Sequence, residues 1–71
     1  MKGSEFVKKV KRLAESKGVK CELNKERGKG SHQTLHYDDK WTTVRNLKDE
    51  LKTGTLNAML KQLGITKDEF L

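Results

Sequence analysis

The chain contains no proline, one cysteine and four aromatic residues besides its histidines. Its longest unbroken apolar run is only Ala58, Met59 and Leu60, which excludes a membrane span of about 20 apolar residues and a signal-peptide core. Cys21 alone cannot form an intrachain disulfide, so a reducing, cytoplasmic location is expected. One cysteine and two histidines cannot complete a closed zinc site, and no metal or other cofactor is expected.

Positive charge, in contrast, is abundant along the whole chain. Sixteen lysines and arginines face ten acidic residues and give a net charge of +6. This balance favours a polyanionic partner, either nucleic acid or an acidic protein, although a lysine-rich surface kept for solubility is an alternative. A length of 71 residues leaves room for one core, so we expect a single domain over residues 1–71.

The first third of the chain changes from a helical to a strand period. Apolar residues at helical spacing predict a helix near residues 4–17, with Ser4 as its N-cap, Glu5 in its first turn and Gly18 as its end. Val19, Cys21 and Leu23 then alternate with polar residues, which predicts a strand with one buried face. Residues 24–30 follow as a glycine-containing, cationic loop.

The remainder predicts a hairpin and a second helix. Residues 31–37 and 40–45 form two strands around a tight turn at Asp38 and Asp39, and residues 46–52 connect them to the helix. Either Thr53 or Thr55 caps this helix, Gly64 ends it, and a capping box of Thr66 and Glu69 starts a final turn. The order helix, three-stranded antiparallel sheet, helix predicts an α+β fold of the double-stranded-RNA-binding-domain type, with both helices on one face of the sheet.

The two histidines both belong to the open face of this predicted sheet. Leu35 and Tyr37 should face the helices, so His32, Thr34 and His36 lie on the opposite side. Four residues at about 3.3 Å each separate the histidines by roughly 13 Å. Because this distance is too great for both to serve one phosphate, they do not form an acid–base pair.

His32 has the better neighbours for chemistry. It follows Gly28, Lys29, Gly30 and Ser31, where glycine lets the backbone approach a phosphate and lysine supplies charge. A two-residue turn would pair His32 with Arg45, whose guanidinium could hold a phosphate oxygen, whereas a three-residue turn would remove this pairing. In the two-residue register His36 pairs with Trp41, and a structural or base-stacking role suits it better.

Three segments resemble the HicA family of bacterial toxins. They are "KGSEFVKKVKRLAESKGVKCEL", "GSH" and "TGTLNAMLKQLGI". The resemblance covers nearly the whole chain and implies a small ribonuclease that cleaves messenger RNA and is held inactive by a HicB-type antitoxin. It assigns the catalytic role to His32. Many members carry a proline and a second histidine after the third strand, whereas this chain reads "VRNLKDEL" there, which puts any second catalytic group in doubt.

The expected chemistry needs no metal, because RNA provides its own nucleophile in the 2′-hydroxyl group. His32 would take the 2′-hydroxyl proton or protonate the leaving oxygen, and the sequence leaves both roles open. The residues expected to bind RNA are Arg27, Lys29, Gly30, Ser31, Arg45 and Lys48. Two alternatives use the same basic surface without catalysis: an RNA-binding module, and a protein-interaction domain for an acidic partner.

Overall fold

The computed structural model describes residues 1–25, 33–45 and 47–70. Its elements in chain order are α1 (Gly3–Lys17), β1 (Cys21–Lys25), β2 (Gln33–Tyr37), β3 (Lys40–Val44), α2 (Thr53–Leu63) and α3 (Lys67–Phe70). The strands form an antiparallel sheet in the order β1-β2-β3. This arrangement confirms the predicted α+β class and is consistent with the double-stranded-RNA-binding-domain-like fold.

The core lies between the helices and one face of the sheet. Alternate strand residues and the apolar stripes of the helices are buried together, namely Phe6, Val7, Val10, Ala14, Leu35, Tyr37, Val44, Met59, Leu60, Leu63, Ile65 and Phe70. Leu47 and Leu51 pack against this cluster from the connection between β3 and α2. The opposite face of the sheet therefore stays open to solvent, as the one-sided strand pattern predicts.

Both predicted glycine stops are confirmed. Gly18 and Gly64 each adopt a left-handed conformation with φ of 71°, which glycine accepts without the steric cost of a Cβ atom. After α1, the Val19 N–H donates to the carbonyl oxygen of Ala14 at 3.0 Å. This bond satisfies one of the last carbonyl groups of α1 and turns the chain sharply towards the sheet.

The predicted N-caps of the two longer helices are wrong. Lys2, not Ser4, is the N-cap of α1, and the Glu5 carboxylate accepts a hydrogen bond from the Lys2 N–H at 3.0 Å. Ser4 lies inside the first turn, where its N–H donates to the carbonyl oxygen of Leu47 at 2.9 Å. Lys52 likewise precedes α2, so neither threonine caps it. A tertiary acceptor in the first case removes the need for a side-chain cap.

The first strand begins later than its alternating pattern suggests. The Val19 N–H is already used by the end of α1, so the ladder starts at Cys21 and continues to Lys25, into residues predicted as loop. The side chains still alternate as expected. Val19, Cys21 and Leu23 are half-buried, and Lys20, Glu22 and Asn24 are exposed.

The final turn is confirmed, and Thr66 caps it with one of the two bonds of the predicted capping box. The Glu69 N–H donates to the Thr66 hydroxyl at 3.2 Å, and that hydroxyl donates to the Glu69 carboxylate at 3.1 Å. Phe70 is buried against Phe6 of α1, with 5.4 Å between ring centres. An ion pair between Lys17 and Glu69 also links α1 to α3.

Candidate functional site

The open face of the sheet presents the alternate residues of β2 that sequence parity assigns to it. Leu35 and Tyr37 are buried, whereas Thr34 and His36 are partly exposed. The residues of β3 alternate in the same way, because Thr42 and Val44 are buried, whereas Trp41 and Thr43 are exposed. The predicted orientation of this face is therefore confirmed over its described part.

The register between β2 and β3 is that of a two-residue turn. Tyr37 pairs with Lys40 across Asp38 and Asp39, and His36 pairs with Trp41. Asp38 takes a positive φ of 58°, a conformation that aspartate tolerates better than most residues with a side chain. This result confirms the condition on which the predicted pairing of Arg45 with His32 depends.

Most of the predicted site residues lie outside the described part of the chain. These residues are Arg27, Lys29, Gly30, Ser31 and His32, which belong to the segment 26–32. The last described pair of the β2–β3 ladder joins Gln33 to Val44. The placement of His32 opposite Arg45 therefore stays a prediction, one step beyond that pair.

The two described cations of the predicted site follow β3. Arg45 is exposed directly after the strand, and Lys48 is exposed in the connection to α2. Arg45 and Lys52 line a depression of about 340 Å³, together with Asp49 and Glu50. Both charge signs are thus present there, and the Glu50 carboxylate contacts the N-terminal ammonium group of Met1.

The connection that carries Lys48 is held by the beginning of α1. The Gly3 N–H donates to the Asp49 carbonyl oxygen at 3.0 Å, and the Leu51 N–H donates to the Met1 carbonyl oxygen at 2.8 Å. An isolated bridge pairs Lys2 with Glu50 in antiparallel fashion. The first N–H groups of α1 are therefore satisfied by backbone carbonyls from the connection, which fixes the path that follows Arg45.

A second and larger groove runs along the outer edge of β3, between that strand and α2. Its volume is about 820 Å³. Trp41 forms part of its wall and is 59% exposed, as the large apolar side chain most open to solvent in the described residues. Sequence reasoning missed this groove, because strand parity shows that Trp41 faces outward but not that α2 lies beside it.

The described thiol and phenol are not prepared for acid–base work near neutral pH. Burial raises the pKa of the Cys21 thiol, and the charge of Lys11 offsets only part of that effect. Burial also raises the pKa of the Tyr37 phenol, with smaller contributions in the same direction from Asp38 and Cys21. Both groups stay protonated at neutral pH, and a half-buried strand position accounts for Cys21.

Residues 1–25, 33–45 and 47–70 contain neither a metal-ligand cluster nor a membrane-spanning helix. Within these ranges, no group of three or more histidine, cysteine, aspartate and glutamate side chains could hold a metal ion. No helix in the same ranges is long and apolar enough to cross a membrane.

Comparison with known proteins identifies a family. No curated protein and no solved structure matches the chain. A model of the HicA toxin family, the toxins of bacterial toxin–antitoxin systems, matches residues 7–65. This range covers most of the chain, from α1 to the residue that follows the Gly64 helix end, and it contains every residue predicted to act on RNA. The chain therefore belongs to the HicA toxin family and is a toxin of a toxin–antitoxin system, with an antitoxin as its partner.

Proposed function

We propose that this protein is an endoribonuclease that cleaves messenger RNA in the cytoplasm, with His32 as its catalytic residue and a HicB-type antitoxin as its inhibitor. The family match over residues 7–65 carries this proposal. The β2–β3 register supports it independently, since this register continued by one residue would set His32 opposite Arg45.

The reaction that fits these groups is an internal transfer at phosphorus. The 2′-oxygen of the RNA bonds to the phosphorus atom and the 5′-oxygen leaves, which gives a 2′,3′-cyclic phosphate and a 5′-hydroxyl end. His32 either accepts the 2′-hydroxyl proton or donates a proton to the leaving oxygen, and water makes the other transfer. No step of this sequence requires a metal ion.

The cations near the sheet would act on the phosphate rather than on the proton. A guanidinium at Arg45 can donate two parallel hydrogen bonds to phosphate oxygens and stabilise the charge that develops there. Lys29 and Lys48 would add charge along the RNA backbone, with Arg27 and the backbone of Gly30 and Ser31 close to the same phosphate. Contacts of this kind select for charge and not for sequence, so affinity should fall steeply with salt.

A true double-stranded-RNA-binding module is the less suitable reading of the same fold. Such modules tend to place a cluster of lysines at the start of the second helix. Here α2 reads TGTLNAMLKQL, with Lys61 in its last turn and Lys52 before its first residue. Cleavage, rather than binding alone, is therefore the function that we propose.

The central experiment compares His32→Ala with His36→Ala. The second variant is a matched control, because it removes the same chemical group four residues along the chain, from the face on which His32 is predicted to lie. We expect His32→Ala to lower the rate of RNA cleavage by about 10²- to 10⁴-fold, the usual contribution of a general acid or base. His36→Ala should cost less than about tenfold. Circular dichroism would verify that both variants are folded.

Three further readouts complete this test. Induction of the wild type alone should arrest growth and degrade messenger RNA, and a folded His32→Ala variant that remains fully toxic would contradict the proposal. Loss of cleavage on addition of a chelator would contradict the metal-free mechanism. The pH dependence of cleavage separates the two roles, because the rate rises with pH if His32 is the base and falls if it is the acid.

A further inference from the structure

Trp41 is exposed in a way that its contribution to the fold does not explain. It is the only tryptophan of the chain, and 59% of its surface is open to solvent although it lies within β3. The strand is anchored instead by its buried neighbours Thr42 and Val44. A large aromatic side chain held on a rigid strand and left exposed is typical of a binding surface.

The groove beside Trp41 has the lining that a planar, polar ring requires. The indole forms part of one wall, and the facing side of α2 supplies the small residues Gly54 and Ala58. The Thr42 hydroxyl donates to the side-chain oxygen of Gln62, so the Gln62 amide offers its NH₂ group as a donor at the groove. Apolar contact comes from Met59, and further hydroxyl groups come from threonines on both walls.

The charges of the groove do not oppose RNA. Asp39 is the one carboxylate among its described lining residues, and it is paired with Lys40 at 3.2 Å. The groove shares Thr43, Thr55 and Met59 with the depression that contains Arg45. Trp41 and Arg45 are four residues apart, or roughly 13 Å along the strand. A single RNA strand could therefore meet both side chains at once.

We propose that Trp41 stacks on an unpaired nucleobase of the RNA substrate, in the groove between β3 and α2, beside the phosphate held at Arg45. The proposal rests on the ribonuclease function proposed above and adds a substrate class to it. Stacking requires a base that is free on at least one face, so Trp41 selects single-stranded RNA and disfavours duplex. Every base has a stacking face, so the contact adds affinity without a strong sequence preference.

Binding of an uncleavable RNA tests this contact directly. A fluorescein-labelled, single-stranded RNA with 2′-O-methyl groups throughout lacks the nucleophile and so measures binding alone. By fluorescence anisotropy, Trp41→Ala should bind it about 5- to 150-fold more weakly than the wild type, the range that corresponds to the loss of one base–aromatic stack. Trp41→Phe is the matched control, because it keeps an aromatic face at the same position and should retain most of the affinity.

The salt dependence distinguishes stacking from charge. Trp41→Ala should weaken binding equally at low and high salt and leave the slope of log K against log salt unchanged. Arg45→Gln should instead reduce the magnitude of that slope by about 0.7, the value for one phosphate contact on a single strand. The proposal would be overturned if Trp41→Ala and Trp41→Phe both changed the slope of log K against log salt. That result would show that the substitutions act indirectly, through the phosphate contacts.

The intrinsic fluorescence of the wild type gives a second readout, because Trp41 is the only indole in the chain. Unlabelled single-stranded 2′-O-methyl RNA should quench its emission, and a duplex of the same sequence should not. If Trp41→Ala binds the single strand like the wild type but binds the antitoxin more weakly, the groove is a protein-docking site and the proposal is wrong. If the wild type binds RNA through Trp41 but never cleaves it, the ribonuclease proposal fails while the stacking site stands.

Discussion

Substitution of Phe70 by alanine would test whether α3 is an integral part of the core. Phe70 is 6% exposed, and its ring lies 5.4 Å from that of the fully buried Phe6, at an interplanar angle of 39°. The Lys9 ammonium group lies 5.2 Å from the centre of the Phe70 ring. These contacts connect α3 to α1, and they involve a helix that begins only after residue 65, where the family match ends.

The expected cost is large on the scale of the whole protein. Replacing a buried phenylalanine by alanine costs about 3–5 kcal/mol, a range that already includes the aromatic pair and the cation contact. A chain of 71 residues has a total free energy of unfolding of about 4–11 kcal/mol. Phe70→Ala should therefore remove about a quarter or more of the stability and lower Tm by at least about 12 °C.

Thermal and urea unfolding, followed by circular dichroism, would measure this loss. Lys67→Ala is the control, because Lys67 is exposed in the same helix and should change the free energy of unfolding by no more than about 0.5 kcal/mol. The dependence of unfolding on urea should be similar in both variants. Equal Tm values for Phe70→Ala and Lys67→Ala would show that α3 does not contribute to the core and would refute the reasoning.

Two further predictions concern the helix ends and the pH dependence of stability. Gly18→Ala and Gly64→Ala should each cost about 1–2 kcal/mol in urea unfolding because both residues have φ of 71°. A Cβ on Gly64 would lie 3.1 Å from Lys40 Cε, but that exposed side chain can move away, so a much larger cost for Gly64→Ala than for Gly18→Ala would contradict this. Burial raises the pKa of the Cys21 thiol above its ordinary value of 9.0, so the unfolded chain loses the thiol proton at a lower pH than the folded protein does. The contribution of the protonated thiol to stability is therefore complete below pH 9.0 and is lost as the pH rises through the folded pKa. The free energy of unfolding should therefore decrease less between about pH 8 and about pH 10 in Cys21→Ser than in the wild type. An identical decrease in both proteins would show that the thiol has no such role.

The glycine ends of α1 and α2 could be predicted from the sequence and the N-caps of these two helices could not, for a physical reason. A helix end marked by glycine depends on the backbone freedom of that residue, as at Gly18 and Gly64, and this property is local. The start of α1 is satisfied instead by the carbonyl oxygens of Leu47 and Asp49. These acceptors are more than 40 positions away in the sequence, so the local pattern points to Ser4 as the N-cap although Lys2 occupies that position.

The candidate site divides in the same way. The face on which His36 lies follows from the two-residue period of a strand, and the pairing of His36 with Trp41 follows from the length of the turn. The groove beside Trp41 depends on where α2 packs against β3, which no local pattern encodes. The segment "VRNLKDEL" is where the sequence departs from the pattern of many HicA toxins. In the structure, its residues Leu47 to Leu51 are held by backbone hydrogen bonds to the start of α1.

The turn at Asp38 and Asp39 is the feature on which the whole candidate surface depends. It sets the pairing of Leu35 with Thr42 and of Gln33 with Val44, which keeps Thr42 and Val44 in the core and Trp41 and Arg45 outside it. A shift of β3 by a single residue would turn Trp41 into the core and expose Val44, because strand side chains alternate between faces. Burial of Leu35 and Val44 opposes that shift, so the same apolar contacts that stabilise the sheet also hold the indole and the guanidinium on the side where RNA would bind.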